Sequence, residues 1–463
     1  MSFVQIEFFV FCLAVVMLIS LLKNTNQKKI TLLIANIYFY AYIDFHFLIL
    51  LLLLTSTNYL IGKKIDQSTA ITKRKLWLIV GILLNASFLV YFKYYNFFIE
   101  NINQVFLRDQ DYFSILVPIG ISFYSFRFIS YLVDIYRSKN MPQHSIVDFV
   151  IYGTFFPIMI AGPLARAKRF LPQLSAIKVS RLHLYEAYRL FVIGLFLKYF
   201  VADHIAPYVN YFYKNYELFN QISSWIATVA YSIQIYCDFA GYSSMAIGLS
   251  LMIGFNIEDN FNFPYTATNI SDFWRRWHIT LSEWIRDYLY IPLGGNRMGT
   301  LRKYINLIIA MTICGIWHGA AWTFLIWGLY HGVLLTLNHH WKSYTPSSFT
   351  VNFPRSYAFF SWGITFFFIT MGWVIFRSKD ISQAFRIFSK LFLFNSEGLA
   401  WYHPFIIFII AATALFHFFY LKGIQLVTLT SKTKLTPAFL FCLLWIVIVF
   451  FPKEFEPFVY ANF

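Results

Sequence analysis

The sequence is poor in charged residues, which make up only 13% of the chain. An average soluble domain carries roughly 25% charged residues. Hydrophobic residues reach 59% and aromatic residues 22%, and many apolar runs approach the roughly 20 residues that cross a bilayer as a helix. This composition excludes a soluble globular protein and predicts an all-α, polytopic membrane protein.

Several chemical signatures are also missing. The chain contains no GxxxxGK[ST] loop, GxGxxG turn, GxSxG elbow or HExxH pair, which argues against a nucleotide-driven pump, a serine hydrolase and a zinc protease. The cysteines are scattered through apolar segments without disulfide or metal-site spacing. They are Cys12, Cys237, Cys314 and Cys442. We therefore expect no metal and no tightly bound cofactor.

The net charge of +16 has two interpretations, nucleic-acid binding or basic cytoplasmic loops. In a membrane protein the second is favoured, because Lys and Arg collect on the cytoplasmic side and attract anionic lipid headgroups. At the amino end, Glu7 precedes the first apolar run and Lys23 is the first cation. This order predicts a membrane-spanning first segment with the N-terminus outside, not a cleavable signal peptide.

Apolar segments predict 11 to 13 crossings or re-entrant pieces in one membrane domain over 1–463. Segment 146–162 lies between basic loops and contains Pro157, Gly162 and Pro163, which break helices, so it is predicted to be re-entrant. After Lys303 the loop charges no longer agree with the membrane sides obtained by counting crossings, and the topology there stays open. The predicted spans are 5–22, 30–45, 46–62, 76–98, 113–135, 184–203, 222–253, 304–338 (as two), 356–376, 403–421 and 436–453.

His318 is the strongest candidate for chemistry. It lies in the middle of a stretch without Asp, Glu, Lys or Arg from Tyr304 to Trp341. An ionisable ring at membrane depth is costly and is taken as functional by default. Small neighbours leave room for a substrate, and Trp317 can line a pocket or tunnel. Without a nucleophile of its own, such a histidine suits a general base that deprotonates an attacking hydroxyl.

Segment 271–290 is predicted to be one amphipathic helix with Ser271 as its N-cap and Asp272 paired with Arg276. Tryptophans recur at helical spacing on one side, and a polar stripe recurs on another. This helix either lies at the cytoplasmic membrane surface or lines the mouth of a tunnel that meets an anionic acyl donor, and both can hold together. The polar stripe is Arg275, His278, Ser282 and Arg286.

Asp238 lies in another run without other charges, beside Tyr236. It either fixes helix packing through tyrosine and serine hydroxyls or lines a tunnel together with Tyr236. His331 follows His318 by thirteen residues, and helical periodicity puts it on roughly the opposite side, so we expect a structural role for it.

Six blocks of the sequence form a recognisable set, namely VPIGISFYSF (117–126), FPIMIAGPLAR (156–166), QIYCDFAGYSSMAIG (234–248), the tryptophan-rich 262–297, GIWHGAAWTFLIWGLYHG (315–332) and FVYANF (458–463). Together they resemble the membrane-bound O-acyltransferase family in its bacterial cell-envelope branch. That branch includes alginate O-acetylases, peptidoglycan O-acetyltransferases and the teichoic-acid D-alanyl transfer protein. One departure is Ser244, where the acetylase pattern has an acidic residue.

The resemblance implies helices around a central tunnel, with His318 as the essential histidine and His278 as the second one. It implies a thioester donor on the cytoplasmic side, either acetyl-coenzyme A or an acyl-carrier thioester. It further implies a bacterial cytoplasmic (inner) membrane location. The acyl group would pass to a secreted or membrane-anchored partner acyltransferase that modifies a cell-envelope polysaccharide. We therefore predict an O-acetyltransferase.

Three alternatives remain open at this point. The same fold could transfer D-alanine to teichoic acid. The chain could instead be a lipid or glycan transporter, although no repeated halves are visible. It could also be a scaffold for an envelope enzyme complex. The sequence does not identify the polysaccharide or the partner.

Overall fold

Helices supply nearly all the regular structure in the computed structural model, which describes residues 5–106, 115–138, 144–344, 354–393, 397–421, 435–452 and 458. Within these ranges no strand occurs, and the only β pairing is an isolated bridge between Phe219 and Leu399. The prediction of an all-α protein is confirmed. Its central tunnel and its number of crossings stay predictions.

The α-helices follow the predicted apolar segments closely. In the described residues they are α1 (Ile6–Leu21), α2 (Thr25–Ile43), α3 (Phe45–Gln67), α4 (Ile71–Leu89), α5 (Tyr95–Phe106), α6 (Ile121–Arg137), α7 (Ile146–Thr154), α8 (Ala167–Phe170), α9 (Arg181–Leu195), α10 (Asp203–Lys214), α11 (Gln221–Ile253), α12 (Ile270–Arg276), α13 (Ile279–Ile285), α14 (Gly299–His318), α15 (Trp322–Tyr344), α16 (Pro354–Arg377), α17 (Ile381–Phe392), α18 (Pro404–Leu421) and α19 (Leu435–Val449).

Three π-helical turns modify these helices at Val90–Tyr94, Phe196–Ala202 and Arg286–Tyr290. The first joins α4 to α5, and the second joins α9 to α10. A π turn inserts one extra residue into a helix and often occurs at functional positions. Short 3-10 turns lie at Phe156–Ile158, Leu171–Ser175, Tyr216–Leu218 and Pro264–Thr266.

Four helical stretches of the described chain are long and apolar enough to cross a membrane. Shorter apolar helices accompany them, including Pro404–Phe419 and Pro437–Val449. The four long stretches are Phe45–Gln67, Ile71–Phe106, Leu182–Lys214 and Ser356–Arg377.

The chain forms two compact units, one of Met1–Phe191 with Ser243–Glu258 and one of Val192–Tyr242 with Asp259–Phe463. In the first unit, α3 and α4 are joined by reciprocal amide hydrogen bonds between the buried side chains of Asn58 and Asn85. Such paired amides satisfy each other away from water. The prediction of a single membrane domain stays a prediction.

The first unit also contains the segment predicted to be re-entrant. Its helix α7 has nine residues, or about 14 Å at 1.5 Å per residue, and ends at Thr154. The irregular backbone that follows is buried, and the Asn36 side chain accepts a hydrogen bond from the Phe156 N–H and donates to the Ile151 carbonyl. The predicted break in the helix is confirmed, whereas entry and exit on one membrane side stays a prediction.

In the second unit, α14 and α15 form a tight hairpin. A Cβ on Gly315 would lie 2.3 Å from the Phe324 carbonyl oxygen, and one on Gly328 would lie 2.4 Å from the Met311 carbonyl oxygen. Small residues at these positions let two membrane helices approach closely. The hairpin turns immediately after His318, which is the last residue of α14.

Candidate active site

His318 is buried at the end of α14, with 2% of its surface exposed. Its ring is enclosed by aromatic side chains, with centroid distances of 4.9 Å to Trp317, 5.1 Å to Trp327 and 5.2 Å to Phe376. The Trp327 ring is nearly perpendicular to the imidazole, at 89°. Such a dry aromatic setting strengthens any electrostatic interaction made inside it.

The predicted continuous helix over 271–290 is wrong. It is broken between α12 and α13, and the residue at the break, His278, has a left-handed backbone with φ of 42°. A non-glycine residue in this region carries strain on the order of 1 kcal/mol or more. The break turns His278 into the core, where it is fully buried, whereas Arg275 is largely exposed. The four predicted polar residues therefore do not share one stripe.

The N-cap prediction for this segment is wrong as well. Asn269 caps α12 by accepting a hydrogen bond from the Asp272 N–H, while Ser271 lies inside the helix and accepts from Asn338. Both Asn and Ser are favoured N-caps, so composition could not separate them. The predicted pairing of Asp272 with Arg276 is confirmed at 2.9 Å.

Asn260 orients the His278 ring. Its Oδ1 lies 3.1 Å from His278 Nδ1 and also accepts hydrogen bonds from the Thr280 N–H and hydroxyl. Because this oxygen is an acceptor, Nδ1 must donate, and the neutral ring then carries its lone pair on Nε2. Phe239 packs edge-on against the same ring at 4.6 Å.

His278 and His318 are linked through one indole, since Trp317 lies 6.2 Å from the first ring and 4.9 Å from the second. The two predicted catalytic histidines and the predicted wall residue Trp317 thus lie together. His331 extends the series, because Trp327 lies between its ring (4.7 Å) and that of His318.

His331 is not on the opposite side of a common helix from His318. The chain turns between α14 and α15, so helical periodicity does not carry across, and α15 presents His331 to the same aromatic cluster. The ring is fully buried, and neither nitrogen has a hydrogen-bond partner among the described residues. Its structural role stays a prediction.

A cavity of about 470 Å³ lies beside this cluster in the second unit. Its lining includes the predicted Ser282 and Arg286, together with Trp274, Lys303, Cys314 and His339, but not Arg275. Two lining residues of the cavity lie near His318 or its neighbours. Cys314 is one helical turn, about 6 Å, before it in α14, and Trp274 contacts Trp327 at 5.8 Å.

The charged part of this lining is basic. Arg286 is paired with Asp287, and Lys303 lies nearby on α14. His339 lies beyond the apolar segment 304–338. Burial and the ammonium groups of Lys303 and Lys342 lower the pKa of His339, which is therefore neutral near pH 7. The fixed positive charge of the cavity comes from the arginine and the lysine.

Asp238 is held by a lysine that was not among the predicted site residues. Lys198 Nζ lies 2.6 Å from Asp238 and 2.7 Å from Asp203, and all three side chains are almost completely buried. An ion pair therefore holds Asp238, and its expected hydroxyl partners stay a prediction. The ion pair could have been expected from the sequence, because Lys198 lies inside the apolar segment 184–203 and a buried charge requires a partner.

Tyr236 belongs to a neighbouring aromatic cluster, 6.3 Å from Trp277 and 5.5 Å from Tyr265. Asn260, Trp327 and Phe376 were also absent from the predicted site. Asn260 precedes the 262–297 block, and nothing in the neighbouring sequence distinguishes it from other asparagines in loops.

Comparison with known proteins identifies relatives over most of the chain. The model of the membrane-bound O-acyltransferase family matches residues 32–377. A peptidoglycan O-acetyltransferase from Helicobacter pylori is 36% identical over 408 residues, covering 81% of this chain and 76% of that protein. A protein named probable alginate O-acetylase from Pseudomonas aeruginosa is 39% identical over 387 residues, covering 82% and 72%.

A more distant relative is the teichoic acid D-alanyltransferase of Bacillus subtilis. It is 29% identical over 279 residues, which is 56% of this chain and 69% of that protein.

Proposed function

The chain belongs to the membrane-bound O-acyltransferase family, and we propose that it moves an acetyl group from a cytoplasmic thioester across the membrane for O-acetylation of a cell-envelope polysaccharide. The family match and the similar proteins confirm the resemblance seen in the sequence motifs, and they show that the chain is an O-acyltransferase. It is a multi-pass membrane protein.

One observation carries the proposal. A buried imidazole, His318, lies one helical turn from a cavity whose walls are apolar and whose charged lining is basic. A thioester donor needs both properties, since its acetyl end is apolar and its carrier end bears phosphate. Arg286 and Lys303 suit that phosphate, because charge-assisted contacts to phosphate are strong.

In the proposed reaction, His318 takes the proton from the acceptor hydroxyl as its oxygen attacks the thioester carbonyl carbon. The C–O bond forms, the C–S bond breaks, and the proton passes from the imidazole to the departing thiolate. The ring then returns to its neutral state. The Trp327 indole N–H has no acceptor among the described residues, so we assign it as a donor to the developing oxyanion.

His278 is proposed as the second functional histidine. With its proton fixed on Nδ1 by Asn260, the Nε2 lone pair can accept a hydrogen bond from a substrate group. Trp317 separates this ring from His318, so the two act on different atoms of the reacting pair.

The donor in this proposal is acetyl-coenzyme A or an acyl-carrier thioester, reached from the cytoplasm of a bacterial inner membrane with the N-terminus outside. The acyl group then passes to a secreted or membrane-anchored partner acyltransferase. The names of the Helicobacter pylori and Pseudomonas aeruginosa relatives support acetylation of peptidoglycan or alginate. D-alanyl transfer is the second candidate, supported by the more distant relative.

Thioester turnover by the purified full-length protein tests the proposal. We expect His318→Asn to reduce hydrolysis or transfer of acetyl-thioester by at least about 10²-fold, the usual range for loss of a general base. The exposed His340 supplies the matched control, and His340→Asn should keep full activity.

Thermal unfolding in detergent separates chemistry from folding. A His318→Asn protein with an unchanged melting midpoint and lost turnover supports the proposal. Full turnover by that variant would contradict the role of His318. No thioester cleavage by the wild-type protein with any donor would favour a transporter or a scaffold.

A further inference from the structure

A second cavity, of about 480 Å³, lies in the first unit, where α3 and α6 meet the beginning of α7. Its lining residues belong to the first unit, whereas the active-site residues described above belong to the second. Its lining includes Tyr59, Lys63 and Asp66 from α3, Tyr131 from α6, and His144 and Ser145 before α7.

Two opposite charges in this lining are not used by the protein. Lys63 and Asp66 lie three residues apart on α3, yet neither forms an ion pair or hydrogen bond with the other or with any described residue. The remaining carboxylate of the cavity, Asp148, is already held by Lys29 at 2.6 Å and by Ser145. The cavity therefore presents one available cation and one available anion.

Aromatic groups form another part of the cavity lining. The Tyr131 hydroxyl lies 2.9 Å from His144 Nε2, and the Tyr59 ring lies 5.8 Å from the His144 ring. The Tyr131 ring packs so closely on Gly62 that a Cβ there would lie 2.7 Å from the hydroxyl. Aromatic rings beside a carboxylate attract an ammonium group through their negative faces.

The position of the cavity on α3 indicates where its ligand comes from. α3 is one of the apolar candidate spans, and its exposed Leu53 and Leu60 form a stripe that continues to Lys64. Lysines at the end of an apolar span lie at the depth of the lipid headgroups. Lys63 and Asp66 are in the same last turns of the helix, so the cavity lies at that depth.

We propose that this cavity binds the headgroup of a zwitterionic aminophospholipid, with its phosphate at Lys63 and its primary ammonium at Asp66. A primary ammonium donates hydrogen bonds to a carboxylate, which a trimethylammonium group cannot do. A phosphoglycerol headgroup offers nothing to Asp66. The site thus distinguishes lipids by the amine as well as by the phosphate.

The experiment uses full-length protein in detergent with three phospholipids of identical acyl chains, bearing phosphoethanolamine, phosphocholine or phosphoglycerol. Thermal unfolding measured against lipid concentration gives an apparent affinity. We expect the phosphoethanolamine lipid to bind most tightly. Lys63→Gln and Asp66→Asn should each weaken it about fivefold, the loss typical of one partly exposed charged contact.

Matched controls lie outside the cavity. Lys64→Gln removes a neighbouring lysine from the lipid-facing stripe, and Glu7→Gln removes an exposed carboxylate from α1. Both should leave the phosphoethanolamine preference unchanged. Water-soluble glycerophosphoethanolamine should bind much more weakly than the lipid, because it lacks the acyl chains that hold the headgroup at the membrane surface.

Three results would overturn the proposal. Equal affinity for the three lipids would exclude recognition of the amine. An equal loss in Lys64→Gln and Lys63→Gln would indicate general attraction to the helix end. Equal binding of glycerophosphoethanolamine and the lipid would assign the cavity to a soluble zwitterion.

Discussion

His278 Nδ1 donates a hydrogen bond to Asn260 Oδ1 across 3.1 Å, and this contact fixes the proton on one side of a buried ring. We predict that Asn260→Ala lowers turnover about tenfold or more, because the ring loses its preferred tautomer and orientation. Asn260→Asp keeps an acceptor and should retain more activity. Steady-state kinetics would check this order, and an inactive Asn260→Asp beside an active Asn260→Ala would contradict it.

Lys198 neutralises two buried carboxylates, so its removal should be more harmful than removal of one acid. We predict that Lys198→Met lowers stability by about 3–5 kcal/mol, since Asp203 and Asp238 then remain buried without a cation. Asp238→Asn leaves the Lys198–Asp203 pair and should cost less. Melting midpoints in detergent give the comparison, and a Lys198→Met protein as stable as wild type would refute it.

Trp327 is assigned as the oxyanion donor. Trp327→Phe keeps an aromatic ring beside His318 but removes the indole N–H, so we predict a fall in kcat of about 10²-fold with little change in KM. Trp401→Phe, far along the chain and packed on Tyr208, is the control and should leave both constants unchanged. A rise in KM alone would show that Trp327 binds substrate without stabilising the transition state.

The basic lining of the active-site cavity should recognise the phosphate of the donor. We predict that Lys303→Gln raises the KM for a phosphate-bearing thioester about fivefold while kcat changes little, and that added salt reduces the difference. Arg302→Gln changes an exposed neighbouring cation outside the lining. An identical KM for the two variants would argue against a specific phosphate contact.

The α14–α15 hairpin depends on glycine at its contact. Gly328→Val would place new atoms against the Met311 carbonyl and the Gly315 Cα, so we predict loss of folded protein, judged by gel-filtration profile and melting midpoint. Gly363 on α16 has open space around it, and Gly363→Ala should be tolerated. A well-folded Gly328→Val protein would show that the hairpin can spread without cost.

The apolar segments were sufficient to predict the long apolar helices, whereas the helix α17 (Ile381–Phe392) lies outside every predicted span. The charge-free run around His318 was sufficient to select that residue as a candidate. The break at His278 was not predictable in the same way. Residues 271–290 keep a continuous helical periodicity, and the turn depends on Asn260, eighteen positions earlier. A pattern in neighbouring residues cannot reveal a contact between residues this far apart in the sequence.

Lys198 is a different case, because a lysine and an aspartate that each lie in an apolar segment are each unfavourable without a partner of opposite charge. Pairing unlike charges within apolar segments would have linked Lys198 to Asp238. The second carboxylate, Asp203, falls at a segment end, where an acid needs no partner, and only the structure brings it to the same lysine.

The π-helical turn at Phe196–Ala202 has a consequence for that triad. Lys198 and Asp203 are five residues apart, and residues at that spacing lie about 140° apart around the axis of an ordinary α-helix. Deleting one residue between them would let the turn continue as an ordinary α-helix and would bring them to a spacing of four, which is about 40°. The wider π turn therefore brings together a lysine and an acid whose spacing would keep them apart in an ordinary helix.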